Sequence, residues 1–147
     1  MTPETVTPET IFRAANTLAL VSWVLLATRP RAAMVQRLAG TVAPLMLAVA
    51  YSVLAALFVG RGPGDFSSLA GVSALFANPW ILLAGWIHYL AFDLLTGVWE
   101  VRDAARRGVP HWLVVPCLAL TFLLGPAGWL LYQLVRLSRS EPAALPA

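Results

Sequence analysis

Apolar residues along this 147-residue chain gather into four long runs separated by short polar breaks. Helices are expected over approximately 11–28, 42–59, 79–99 and 111–136, with flexible tails over 1–9 and 138–147. The first run stops at Arg29-Pro30-Arg31, and the second at the breaker cluster Gly60-Arg61-Gly62-Pro63-Gly64. Pro79-Trp80 opens the third run and Pro110-His111-Trp112 the fourth. Each is close to the ~20 residues that cross a ~30 Å hydrocarbon core. In lipid every backbone amide must be satisfied within its own segment, so the runs are expected to be helical. Pro44, Pro116 and Pro126 read as kinks, because apolar sequence continues past each of them. The stretch from Asp65 to Phe76 is too short to span. There Asp65 is expected to cap a short interfacial helix with Phe66, Leu69, Val72 and Phe76 near one side.

Composition fits this pattern. The chain is 59% hydrophobic and 12% charged, about half the charge of a soluble domain. So few charges cannot cover that much apolar surface in water. The expected fold class is an all-α integral membrane protein: a single-domain, four-transmembrane-helix bundle with a short interfacial helix between helices two and three.

Several function classes fall away. All ten cations are arginine, which excludes a lysine Schiff base. The net charge of +3 is small and confined to loops, so nucleic acid is not an expected partner. A single cysteine, Cys117, excludes an internal disulfide or a cysteine-clustered metal site, and it is expected to be a small buried hydrophobe. The N-terminal MTPETVTPET has neither the basic start of a secretory signal nor the composition of a transit peptide, so the first run is expected to remain as a membrane helix. Arg29, Arg31 and Arg37 in the first loop join Arg102, Arg106 and Arg107 in the third. Together they outnumber Arg13, Arg61, Arg136 and Arg139 elsewhere, which predicts loops one and three in the cytoplasm and both termini outside. Trp99 and Trp112 are expected at one interface, with Trp80, Trp129 and Tyr132 at the other.

The third run holds the chemistry. His88 and Asp93 fall well inside the hydrocarbon, where an ionisable group costs about 2.5–3.5 kcal/mol and should face the bundle. On an ideal helix they stand about 140° apart and flank a sector of Gly85, Tyr89, Phe92 and Thr96. That sector is expected to line one cavity bordered by both groups, with Tyr89 donating to Asp93 from one turn away. Depth matching along an antiparallel fourth helix sets Cys117 near Asp93 and Thr121 near His88. Gly125, Pro126 and Gly128 would allow close approach of a helix or ligand. At the membrane edge, Asp103 can pair with Arg106 or Arg107. Glu100, Asp103 and His111 have ligand types that suit iron or manganese, but their spacing matches no strong metal motif, and neither a metal nor another cofactor is expected.

The run His88-Tyr89-Leu90-Ala91-Phe92-Asp93-Leu94, with Gly97, Trp99, Asp103, Gly108, Pro110-His111, Pro116, Leu120-Thr121-Phe122, Gly125-Pro126 and Gly128, resembles the abscisic-acid-deficient-4-like family. The resemblance is strongest over about Trp80 to Tyr132. Plant members of that family are plastid membrane proteins needed to make neoxanthin from violaxanthin. The resemblance implies action on a carotenoid-like isoprenoid, by opening of a 5,6-epoxide to an allene with no net redox change. Such a step needs an acid at the epoxide oxygen and a base at the vinylic C–H. His88 and Asp93 are the expected catalytic pair; Gly85, Tyr89, Phe92, Thr96, Thr121 and Gly125 are the expected substrate contacts. The exclusive use of arginine points to a GC-rich bacterial genome, and so to a bacterial inner membrane and a substrate that can differ from violaxanthin.

An isomerase on a membrane lipid or carotenoid is thus the leading expectation. The alternative is a non-catalytic scaffold or assembly partner for another enzyme or a photosynthetic complex, acting as a homo-oligomer or with a membrane enzyme. A proton conductor is a third option, since an intramembrane Asp and His are proton-relay types.

Overall fold

The computed structural model describes residues 7–138, and among them every regular element is helical. Of the expected tails over 1–9 and 138–147, residues 1–6 and 139–147 lie outside the described residues, while Pro8 and Glu9 are already helical. α1 runs over Pro8–Thr28. The Thr7 hydroxyl accepts the Thr10 amide, and Pro8 occupies the first turn, where its missing N–H is not needed. The next helix is a continuous rod, Ala33–Phe58, starting well before the expected residue 42. It comprises α2 (Ala33–Arg37), a π-helical turn (Leu38–Val42) and α3 (Ala43–Phe58). That wide turn lies directly ahead of Pro44 and absorbs the lost N–H of the proline, where a kink was expected.

The short helix between the second and third runs is α4, Leu69–Phe76. Its cap is Ser68, whose hydroxyl accepts the Gly71 amide, and not the expected Asp65. Asp65 closes the preceding turn instead, accepting the Ser67 amide at 2.8 Å and the Ser67 hydroxyl at 2.6 Å.

α5 spans Pro79–Arg106 and forms the axis of the molecule. Asn78 caps it, and its 28 residues give a length of ~42 Å. It continues past the expected end at Trp99 because Val101 and Ala104 are still buried against its neighbours. α1 runs parallel to α5: Trp86 donates to Asn16 near one end, and Trp23 packs on Gly97 further along. Ala33–Phe58 runs antiparallel, with Phe58 stacked on Trp80 at one end and Arg102 bonded to Gln36 at the other.

Three helices, Pro8–Thr28, Ala33–Phe58 and Pro79–Arg106, are long and apolar enough to cross a membrane. The fourth run differs from expectation. In place of one helix over 111–136, α6 (His111–Leu124) and α7 (Pro126–Leu137) form a hairpin folded at Gly125. Gly125 has φ +46° and ψ −98°, which glycine tolerates, and Pro126 disfavours helical backbone in the residue before it. Pro126 therefore ends a helix where a kink was expected. Gly128 lets the two arms touch, since any Cβ there would collide with the backbone of Thr121. At ~21 and ~18 Å, neither arm reaches across a bilayer core.

The hairpin brings the chain back to the end where α5 finishes. His111 meets the Ala27 carbonyl at 2.8 Å, and Tyr132 and Arg136 both reach Asp103. Hence the end of α7 lies on the side of loops one and three, not on the opposite side. Tyr132 packs edge-on against Trp99 at 5.6 Å, so these two aromatics share one level and not two interfaces.

Candidate functional site

Asp93 sits near the middle of α5, about 20 Å from either end of that helix. The folded tip of the hairpin lies over it: a Cβ on Gly125 would stand 2.8 Å from Asp93 Oδ1 and 3.2 Å from Oδ2. Only glycine fits this contact. Asp93, Thr96, Gly125, Pro126 and Trp129 line a hollow of ≈330 Å³ open to the outside of the bundle. Asp93 Oδ2 is buried with no hydrogen-bond partner among the described residues. The Tyr89 hydroxyl donates to the Phe122 carbonyl at 3.3 Å and lies beside the Asp93 carboxyl, as the one-turn spacing predicts.

His88 is elsewhere. Its ring is exposed on another face of α5, 5.3 Å from the Tyr51 ring of α3 and 4.6 Å from Phe92. His88 is not among the residues lining the hollow at Asp93. The sector between them turns outward, with Phe92 58% exposed. Thr96 borders the hollow while bonding back to the Phe92 carbonyl. Gly85 receives the Phe76 ring of α4, at 2.6 Å from where a Cβ would be, and is remote from the hollow.

Thr121 does not partner His88. The hairpin is shifted along α5 relative to simple depth matching, so that Gly125 meets Asp93 and Thr121 meets Glu100. The Thr121 hydroxyl donates to Glu100 Oε1 at 3.0 Å. Glu100 is fully buried, and its Oε2 has no hydrogen-bond partner among the described residues. Cys117 lies in the same region, buried as expected.

Glu100 is the residue that sequence reasoning misplaced, as part of a solvated edge cluster. Ending the helix at Trp99 put it outside the membrane. Spacing could have found it: seven residues separate Glu100 from Asp93, so the two share one stripe of an ideal helix to within about 20°. Gly97 lies between them on that stripe, leaving room for the Trp23 ring.

One turn further, Asp103 is surrounded by donors. Its Oδ2 accepts from the Tyr132 hydroxyl at 2.9 Å and from Arg107 Nε at 2.9 Å, with Arg136 Nε at 3.3 Å. Arg106 stands 3.6 Å from Oδ1. The expected pairing with Arg106 and Arg107 is present, and the hairpin adds two more partners. Glu100, Asp103 and His111 turn to three different partners. Among the described residues no group of three or more His, Cys, Asp or Glu side chains is arranged to hold a metal.

A second hollow of ≈340 Å³ lies at the far end of the bundle, lined by Pro8, Glu9, Phe12, Pro79, Leu82, Leu83 and Trp86. Its one acid, Glu9, is exposed and paired with Arg13 at 2.8 Å. The site with unspent chemistry is the one at Asp93.

An apolar three-helix frame and a broken hairpin lowered onto a carboxyl define the class: a helical protein of membrane type with an acidic hollow at mid-height. The chain belongs to the ABA DEFICIENT 4-like family, whose model matches residues 10–132. That span runs from Thr10 in the first turn of α1 to Tyr132 and includes every residue of the hollow. No curated protein and no solved structure matches the chain.

Proposed function

We propose that the protein acts within the bilayer on a carotenoid-like isoprenoid, by proton transfer at the hollow beside Asp93. The observation carrying this reading is a carboxyl at mid-height of the apolar frame, with one unpartnered oxygen, beside a hollow that opens outward. A ligand dissolved in lipid can reach such a group without crossing water, and displaced lipid would take its place afterwards. A hollow of ≈330 Å³ suits one ring of an isoprenoid, not its whole length.

The chemistry proposed is the epoxide-to-allene isomerisation associated with neoxanthin synthesis. The Asp93 carboxyl gives its proton to the epoxide oxygen as the C–O bond breaks. The carboxylate so formed takes the proton of the neighbouring vinylic carbon as the allene forms, and the acid is restored with no net redox change. Thr96 and Trp129 would hold the ring. His88 stands on the far side of Phe92, too far round the helix to share the proton step. Its assigned part here is contact with the polyene along the outward face of His88, Phe92 and Tyr51.

Orientation follows from the hairpin. Arg29, Arg31, Arg37, Arg102, Arg106, Arg107 and Arg136 gather at one end of the frame, while Arg13 and Arg61 lie at the other. Seven against two supports a reading with the first end in the cytoplasm of a bacterial inner membrane. A cysteine at Ser138, in a Cys117→Ser background, should label from the same side as one at Arg106.

The direct test is expression alongside a carotenoid pathway that offers epoxidised and non-epoxidised pigments. Wild type should convert one pigment, Asp93→Asn should abolish conversion at normal abundance, and His88→Ala should weaken it without changing the product. An unaltered pigment profile across the panel would exclude the enzyme reading. Loss of a stoichiometric partner enzyme in Asp93→Asn would instead support a scaffold.

A further inference from the structure

Two buried carboxyl oxygens without partners lie on one stripe of α5, Asp93 Oδ2 and Glu100 Oε2. Unpaired buried polar atoms are rare enough that each calls for an explanation. We infer that Asp93 and Glu100 form one coupled acid pair, in which ionisation of either carboxyl keeps the other protonated. The inference rests on Asp93 being the acid of the hollow, and it gives that acid a regulator.

With the Thr121 hydroxyl donating to Oε1, the oxygen of Glu100 left free to carry a proton is Oε2, which has no partner among the described residues. No cation is there to take its place. Among the described residues, Arg106, Arg107 and Arg136, from the end of α5 and from α7, reach Asp103, and Arg102 turns to Gln36 on the opposite side of α5. An ionised carboxylate buried without a cation or a full set of donors is strongly disfavoured, and two such charges on one stripe are worse.

The other groups packed around the pair are neutral or turned away. α6 brings Cys117 and Thr121 to Glu100. α7 brings Trp129 to the hollow and Tyr132, whose hydroxyl is given to Asp103. α1 contributes the Trp23 ring over Gly97, and Tyr89 of α5 itself lies beside Asp93. Asp103, one turn beyond Glu100, is matched by Tyr132 and three arginines, which leaves Asp93 as the like group near Glu100 without a counter-charge among the described residues. Seven residues set Asp93 and Glu100 two turns apart on that stripe, ~10.5 Å along the helix axis. The consequence is that between the two ionisations the pair retains one proton, and over that range the bundle interior carries a single negative charge.

Infrared titration tests this without any substrate. Purified protein in lipid nanodiscs is followed by its protonated-carboxyl C=O absorption across pH, for wild type, Asp93→Asn, Glu100→Gln and the double variant. Subtracting the double variant removes the other five acids and leaves the pair's own curve. The expected result is two separated steps in wild type. Each single variant should then show one step, at a pH between those two. A wild-type curve equal to the sum of the two single-variant curves overturns the pair. So does a Glu100 absorption that never titrates, combined with an Asp93 step unchanged by Glu100→Gln.

Thr121→Val supplies a second arm that leaves both carboxyls in place. It removes the donor that favours ionised Glu100, so the upper step should move to higher pH; an unmoved upper step contradicts the assignment. Coupling present with no pigment conversion would retain the pair and discard the isoprenoid chemistry. Conversion present without coupling would leave Asp93 acting alone.

Discussion

Glu100 and Asp103 stand one turn apart on the same helix, both buried, and their surroundings could hardly differ more. Asp103 is met by a tyrosine hydroxyl and three arginines, drawn from its own helix and from the returning arm of the hairpin. Glu100 is met by one threonine and left with a bare oxygen. The arginines around Asp103 keep one flank near water, with the Arg106 side chain 70% exposed, so charge there is cheap to maintain. Around Glu100 the packing offers no cation among the described residues. The first carboxyl clamps the hairpin to the frame, and the second is left without a counter-charge. Burial alone does not distinguish structural from chemical acids; the completeness of their partners does.

The hairpin is common to both environments, so the largest effect should come from preventing it from closing. Gly128→Leu drives a side chain into the Thr121 backbone and should cost about 4 kcal/mol or the folded state itself. Thermal unfolding and yield in mild detergent measure it. If Gly128→Leu is tolerated, Glu100 and Asp103 do not owe their contrast to the hairpin.

Next comes Asp103→Asn, which leaves a partly buried cluster of arginines without its counter-charge and should cost about 3 kcal/mol. Glu100→Gln, by contrast, keeps the acceptor for Thr121 and swaps one neutral group for another, so it should change stability by less than about 1 kcal/mol. Side-by-side unfolding of the two variants sharpens the comparison. Equal losses would mean that Glu100 is as charged and as clamped as Asp103.

The smallest effect belongs to Asp65, a carboxyl outside the apolar frame that serves as a solvated reference. Hydrogen bonds from the Ser67 hydroxyl and amide hold its carboxyl below the usual carboxylate range. A lowered value in the folded turn means the turn is fully supported above the ordinary carboxylate range. That support is lost as pH falls through the lowered value. The protection factor of the Ser67 amide, taken against intrinsic exchange at each pH, should fall on acidification, and Asp65→Asn should remove that fall while protection in α5 stays unchanged.

Much of this was legible in the residues. The hydrophobic runs located three spanning helices, Pro79-Trp80 located the start of α5, and the family pattern pointed to the second half of the chain. Asp93 was recognisable because a carboxylate in such a run is costly and must be directed somewhere. The break in the fourth run was less visible. Gly125-Pro126 inside apolar sequence is equally consistent with a kink and with a reversal, since both relieve the same missing N–H. Gly128, which lets the arms touch, reads on its own as a small residue at any helix contact.

The reversal changed the rest. It moved Thr121 from His88 to Glu100, brought Tyr132 and Arg136 to Asp103, and left His88 facing outward among aromatic rings. By itself the amino-acid sequence determined the solvent this protein requires, its helical character and the carboxyls it places at depth. Those properties depend on local hydropathy and backbone hydrogen bonding. Which carboxyl received a cation, which kept a bare oxygen and which opened to a hollow was decided by tertiary structure alone. Partners for a buried charge come from segments tens of residues away, and their register depends on one turn at Gly125.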